Sequence, residues 1–326
     1  MIHRSYFLFT VLLPLATIPA AAGNAIRDDL DPKQQAAVEK VLTLPKTFSQ
    51  AESFEAMTGG ATTRRETNLG RQAYSRFLSN LNSADEQLAA LGNALFRKSW
   101  VAAPASTHSS DGLGPVFNAR SCQGCHIKDG RGTVPLEGGF DPTFLLKFPI
   151  AHRTLGAQLQ TAAVTGLSAE GRYQTFYHQR EFTYPDGAIK ELRHPEYVVY
   201  DENGEPVTMG VSPRMAPAVF GLGLVDAIHI ADRVRLSDEH DANADGISGV
   251  LPWTGAGPGR YAWKLQNTSL RQQSGDAFSH DMGLSSAAFP AHYGDCTPSQ
   301  LSCRAGVDGA DPKEGVEVTQ LMMDLV

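Results

Sequence analysis

The chain has 326 residues, enough for a sizeable buried core, and its 42% hydrophobic and 19% charged residues are those of a globular protein. A formal net charge of −7 offers no general attraction to nucleic acid or to anionic membrane. With no run of like charges and no basic stripe, nucleic-acid binding is excluded as a reading of the sequence. The 31 glycines and 19 prolines point to a loop-rich architecture.

In chain order, Met1 to Arg4 form a short positive start and Tyr6 to Ile18 an apolar stretch of signal-peptide length, broken by Pro14. Ala20, Ala21 and Ala22 make a small-residue cleavage site before Gly23. Residues 1–22 therefore read as a signal peptide, and the protein as exported and periplasmic. No later stretch approaches the ~20 apolar residues of a membrane span. Residues 23–82 read as an N-terminal extension with helical patches at 32–42 and 70–81 and a turn at 59–63. Ser83 or Asp85 can cap a helix running to about Trp100, with Leu88, Leu91, Leu95 and Phe96 at helical spacing, and Pro104 stops it. A Gly-rich loop then leads to residue 122. Alternation between Arg172 and Tyr200 around the Pro185-Asp186-Gly187 turn predicts β-hairpins. The pattern at 213–231 predicts a mostly buried helix, 238–260 a loop, and 315–326 a closing helix. No linker or repeat divides the chain.

The strongest chemical signal is C-Q-G-C-H at residues 122–126. Two thiols three positions apart can add to the two vinyl groups of one haem, and the following histidine then lies under the iron. Cys122 and Cys125 are thus candidates for covalent haem attachment and His126 for the axial ligand. A redox dithiol would want a βαβ surround, and a zinc site a second ligand pair nearby; neither is present.

From Asp111 to His126 (D-G-L-G-P-V-F-N-A-R-S-C-Q-G-C-H) and on to Gly130-Arg131-Gly132, the sequence resembles the di-haem oxidoreductases, a peroxidase family distantly related to bacterial di-haem cytochrome c peroxidases. The resemblance takes in Gly156–Gln160, Ser212–Pro217, Gly221–Ile228, Asp241–Gly249, Gly259–Lys264 and Asp281–Gly283, and so covers roughly residues 55–326. It implies haem c, a periplasmic electron donor or acceptor protein, and peroxidase-like oxidoreductase chemistry in which electrons pass between two haems. Chains of the family continue into a second cytochrome-like half. This one carries a single such motif and stops at Val326, so it reads as a truncated product, a fragment or a mono-haem form. A mono-haem electron carrier without catalysis, and a non-catalytic domain stabilised by haem, calcium and a disulfide, are the alternatives.

Asp241, Asn243, Asp245 and the Ile247 carbonyl have the spacing of the first half of a calcium loop, with Gly246 at the sharp turn. Pro252 stands where a complete EF-hand places its bidentate glutamate; a solvated Asp/Asn/Gly turn is the other reading. Cys296 and Cys303 can close a small disulfide loop. Met282 is the first candidate for a distal iron ligand, ahead of Met215 and Met209, and His152, His178, His194, His229 and His280 are further candidates. Arg214 could pair with a haem propionate and Trp263 could pack at the haem edge. The expected fold is α+β: a cytochrome c-like helical haem domain at 83–326, its haem-binding core at 83–132, enlarged by a β-hairpin and loop-rich remainder at 133–326.

Overall fold

The computed structural model describes residues 27–43, 45–66 and 70–326, so the expected signal peptide at 1–22 lies outside the described residues. Among the described residues the α-helices and strands are, in order, α1 (Pro32–Leu42), α2 (Ser83–Arg97), β1 (Val116–Phe117) and the single turn α3 (Cys122–Cys125). There follow β2 (Phe144–His152), β3 (Gly156–Gln158), β4 (Ala162–Ala163), β5 (Gly171–Thr183), β6 (Ile189–Asp201), β7 (Pro206–Val207) and β8 (Ser212–Met215). Short helices α4 (Leu222–Ala227) and α5 (Ile230–Arg235) precede β9 (Trp253–Thr254), β10 (Gly257–Pro258), α6 (Leu270–Met282), α7 (Leu301–Arg304) and α8 (Gln320–Leu325). Among the described residues no helix is long and apolar enough to cross a membrane.

This is a mixed structure of short helices and several small sheets, and it corrects the expected cytochrome c-like helical domain. Between 83 and 132 only α2 and one turn are α-helical. Apart from β1, residues 98–121 run as loop and bridge, because Pro104 and the Gly112–Pro115 segment cannot continue a helix. Instead β1 pairs with β4. The buried helix expected at 213–231 is a second correction. Pro213 and Pro217 remove backbone donors, and residues 212–215 pair as β8 with β2, Leu145 opposite Arg214. Gly221, at φ +77°, then turns the chain into α4. The 70–81 patch is reduced to a 3₁₀ stretch at Gly70–Ser75, and the closing helix to Gln320–Leu325.

Other expectations correspond closely. The hairpin β5–β6 pairs in unbroken antiparallel register from Gly171↔Asp201 to Thr183↔Ile189 around the 184–188 turn. Helix α1 starts on the Asp31 capping box, with Gln34 reciprocating. Helix α2 forms where expected, but its cap is Asn82 rather than Ser83 or Asp85, the Asn82 side chain accepting from Ala84 and Asp85 N–H, and it ends at Arg97 rather than near Trp100.

The chain divides into two compact units. One comprises the described residues up to Lys46 together with Ile228–Leu251, where Arg235 pairs with Glu39 at 2.9 Å and Asp238 bridges to Gly249. The other comprises Thr47–Ala227 and Pro252–Val326. Its main apolar cluster joins Trp100, Leu113, Phe117, Phe278, Met282, Leu284, Val318 and Met323, with Cys122 packed against it. A second cluster under the sheet β3-β2-β8 joins Phe144, Leu146, Phe148, Leu155, Leu159, Tyr173 and Val199.

Candidate functional site

The Ser121 hydroxyl accepts the Gly124 N–H at 3.2 Å and so starts the turn α3, while the His126 N–H closes it on the Cys122 carbonyl at 2.9 Å. Lys128 and Asp129, at φ +56° and +61°, reverse the chain at once. One helical turn therefore carries Cys122 and Cys125 at i and i+3, on the same face. Both thiols are free, Cys125 buried with Sγ 3.4 Å from the Pro142 carbonyl, Cys122 half-buried against the main cluster. Burial, aided by the Asp281 carboxyl, pushes each thiol up to about 12. At neutral pH both are protonated, which is the opposite of what a redox dithiol or a free thiolate metal site requires.

His126 Nδ1 lies 2.6 Å from the Pro217 carbonyl oxygen. A carbonyl only accepts, so Nδ1 carries the proton and donates, leaving the Nε2 lone pair available to a metal. The segment holding Pro217 is well anchored. Ala216 N–H donates to Thr143 O at 3.0 Å, and Val219 N–H to Asp129 O at 3.2 Å. Beside the motif, Tyr74 and Phe220 stack with centroids 4.4 Å apart and rings 6° from parallel, yet each is more than half exposed, as is Ile127.

Three motifs far apart in sequence meet behind the turn. Gly114 N–H donates to the Met282 carbonyl at 2.9 Å, and a Cβ at 114 would stand 2.5 Å from Gly283 Cα, so only glycine permits this approach. Asp281 uses its carbonyl to accept the Asn118 and Ala119 N–H groups at 2.9 and 3.0 Å. Its buried carboxyl accepts from Gln158 Nε2 at 2.8 Å, and burial raises its pKa. Sequence reading assigned no role to Asp281, Gln158 or Asn118. The usable signal was the pair of amides, Gln158 and Gln160, flanking Leu159 in a buried segment.

The remaining candidates fall as follows. Met282, 2% exposed, fills the main cluster next to Cys122, whereas Met215 and Met209 pack on the second cluster. Arg214 and Trp263 come together: the guanidinium lies 4.3 Å from the indole centroid, Nη1 donates to Pro213 O, and Nε is buried without a partner. Cys296 and Cys303 are disulfide-bonded with Cα atoms 6.2 Å apart. His280 Nδ1 pairs with Asp276 at 2.8 Å and His178 with Glu196 at 2.6 Å. His152 Nδ1 accepts the Leu155 N–H, and His194 stands opposite His178 in the β5–β6 ladder. In the 241–247 loop Asp241 accepts the Asp245 and Gly246 N–H groups, Asn243 Oδ1 accepts Asp245 N–H, and Asp245 accepts Ile247 N–H.

One other group among the described residues gathers metal-ligating side chains, Asp28, Asp29 and His229, within 4.8 Å. His229 Nδ1 accepts the Ala231 N–H as the cap of α5, so the neutral ring carries its proton on Nε2, which faces the two carboxylates at 3.8 and 3.9 Å. At those distances no hydrogen bond joins Nε2 to either carboxylate, and with Nδ1 taken by the Ala231 N–H the neutral ring offers a metal no free lone pair.

The family model described as di-haem oxidoreductase, putative peroxidase matches residues 53–147 and 152–326. The chain belongs to the di-haem oxidoreductase family. Among curated proteins and among solved structures, none matches it. The cofactor that family membership implies is haem, and its general chemistry is that of a peroxidase-like oxidoreductase. The residues present fit haem: an imidazole with Nε2 free, two protonated thiols on one turn, uncovered apolar rings beside them, and a buried guanidinium Nε lacking an acceptor.

Proposed function

We propose that this di-haem oxidoreductase is an exported, periplasmic haem c protein. Cys122 and Cys125 hold the porphyrin through thioether bonds, and His126 Nε2 ligates the iron. The observation that carries the reading is the 2.6 Å hydrogen bond from His126 Nδ1 to the Pro217 carbonyl, which pins the tautomer and the ring plane a metal ligand needs. Haem bound here supplies one-electron transfer and peroxide reduction.

The chain's own residues then have separable tasks. Pro217 polarises His126 through Nδ1 and makes Nε2 a stronger donor. The main cluster packed against Cys122 excludes water from the attachment face. Arg214 offers its unpartnered Nε to a carboxylate, the group a propionate would bring, and Trp263, 70% exposed, flanks it. The exposed stack of Tyr74 and Phe220 presents an apolar surface to a periplasmic electron donor or acceptor protein. A calcium ion at Asp241, Asn243, Asp245 and the Ile247 carbonyl completes the reading.

The test is to mature the exported protein in a host with working haem-attachment machinery. The expected product is red, retains its colour after denaturing electrophoresis, and gains the mass of one haem on the peptide containing 122–126. Colourless protein whose Cys122 and Cys125 both alkylate after unfolding would end the proposal.

A further inference from the structure

Away from the haem turn, a cleft of about 660 Å³ opens over Glu170, with walls supplied by Val116, the loops at 154–155, 166–170 and 201–203, and the start of α7. That volume is the size of an ordinary small-molecule site. Every ionisable side chain lining it is acidic: Glu170 in its floor, Asp201 at the end of β6, and Glu202 in the turn that follows. Leu155 and Leu167 give it apolar wall.

Glu170 is buried and held in place: its Oε1 accepts from Gln300 Nε2 at 2.6 Å and its Oε2 from the Gln160 N–H at 2.8 Å. A carboxylate has about four lone-pair sites, so roughly two remain after these bonds. Asp201 accepts the Asn203 and Glu205 N–H groups at 2.9 Å each, and these bonds hold its carboxyl below the ordinary range. The cleft therefore keeps a negative rim and places a fixed, half-satisfied carboxyl in its floor.

From this arrangement we infer that the cleft is a binding site for a small organic cation, an alkylammonium or guanidinium with a short apolar stem, and that Glu170 is its counter-ion. The stem lies against Leu155 and Leu167, and the cationic head approaches Glu170. Burial, reinforced by the nearby Asp295 carboxylate and opposed by the bonds from Gln300 and the Gln160 N–H, raises the Glu170 carboxyl to about 8, so at neutral pH it is largely neutral and must release a proton as the cation enters. Binding is thereby linked to pH, and it is independent of whether haem is held at His126.

The experiment is calorimetric titration of the haem-loaded protein with n-butylammonium and with its neutral counterpart n-butanol, from about pH 6 to pH 9. Affinity for the cation should rise about tenfold per pH unit up to about pH 8 and then level off, because Glu170 must be ionised. Glu170→Gln should lower cation affinity at least ~10-fold above pH 8 and flatten the pH profile, without changing the haem spectrum. Glu202→Gln, at an exposed site that does not threaten folding, should cost a smaller factor of about 2–3 through lost rim charge. Equal affinity for n-butanol, a flat profile in the unsubstituted protein, or no saturable heat up to about 10 mM n-butylammonium would each overturn the assignment.

Discussion

Two short motifs stand out in this chain, the turn at 122–126 and the loop at 241–247, and the structure treats them differently. The turn is held from outside. Pro217 lies 91 residues beyond the imidazole it fixes, Pro142 meets Cys125, and the end of α6 meets the strand before the turn through Gly114, Asn118 and Ala119. The loop is held by its near neighbours in sequence: its amides find acceptors on Asp238, Asp241, Asn243 and Asp245, each within five residues of the amide it takes, and Ile247 remains 71% exposed. A spacing pattern becomes a committed site when distant parts of the fold supply the groups that orient its ligands. Otherwise it stays a well-formed turn that a weak ligand can occupy.

The largest effect that would break this contrast is at the imidazole. If the proposed attachment through Cys122 and Cys125 holds, His126→Ala should leave the porphyrin on the chain but move its visible spectrum and lower peroxide turnover at least ~10-fold, read by visible spectra and stopped-flow. Unchanged spectra would mean that another side chain ligates the iron. Next comes the support behind the turn. Gly114→Ala forces a Cβ onto Gly283 and should cost about 1–3 kcal/mol in urea unfolding while shifting the haem spectrum. Gly246→Ala, at φ +81° with open space around it, should cost only about 1 kcal/mol and leave the spectrum unmoved.

A smaller effect separates the site's periphery from its centre. The hydrogen bond to Asp276 holds His280 above its ordinary value. A raised histidine stabilises the fold fully below about pH 6.5, its unfolded value, and that contribution is lost as pH rises through the folded value. His280→Gln should therefore cost at most about 1 kcal/mol at about pH 5.5 and nothing at about pH 9, measured by denaturant titration. The smallest effect belongs to the loop. Calcium at a concentration equal to a weak dissociation constant adds about 0.4 kcal/mol, or about 1 °C in melting temperature. A shift above about 5 °C would show that the loop is a committed metal site after all.

What could be read in advance tracks the range of the interactions involved. The hairpin β5–β6 was legible because period-two alternation and a Pro-Asp-Gly turn are local signals. Helix α1 was legible as a helical patch at 32–42, and the structure adds the Asp31 capping box that starts it. At 213–231 the apolar spacing suggested a helix, but the β2 partner and two prolines claimed residues 212–215 as strand. The helical haem domain failed for a related reason: a motif and one amphipathic helix say nothing of which partners the intervening loops will find. Arg214 and Trp263 were singled out separately, and their 4.3 Å stacking is a tertiary fact.

By itself the amino-acid order determined the chemistry on offer: two thiols and an imidazole within five consecutive positions, a reactive set that exists before any folding. The three-dimensional structure decided which imidazole nitrogen stays free, how strongly the thiols keep their protons, and that Asp281 lies behind both. Those outcomes depend on burial and on hydrogen bonds from Pro217 and Gln158, dozens of residues away along the chain, and distance along a chain carries no electrostatics until folding removes it.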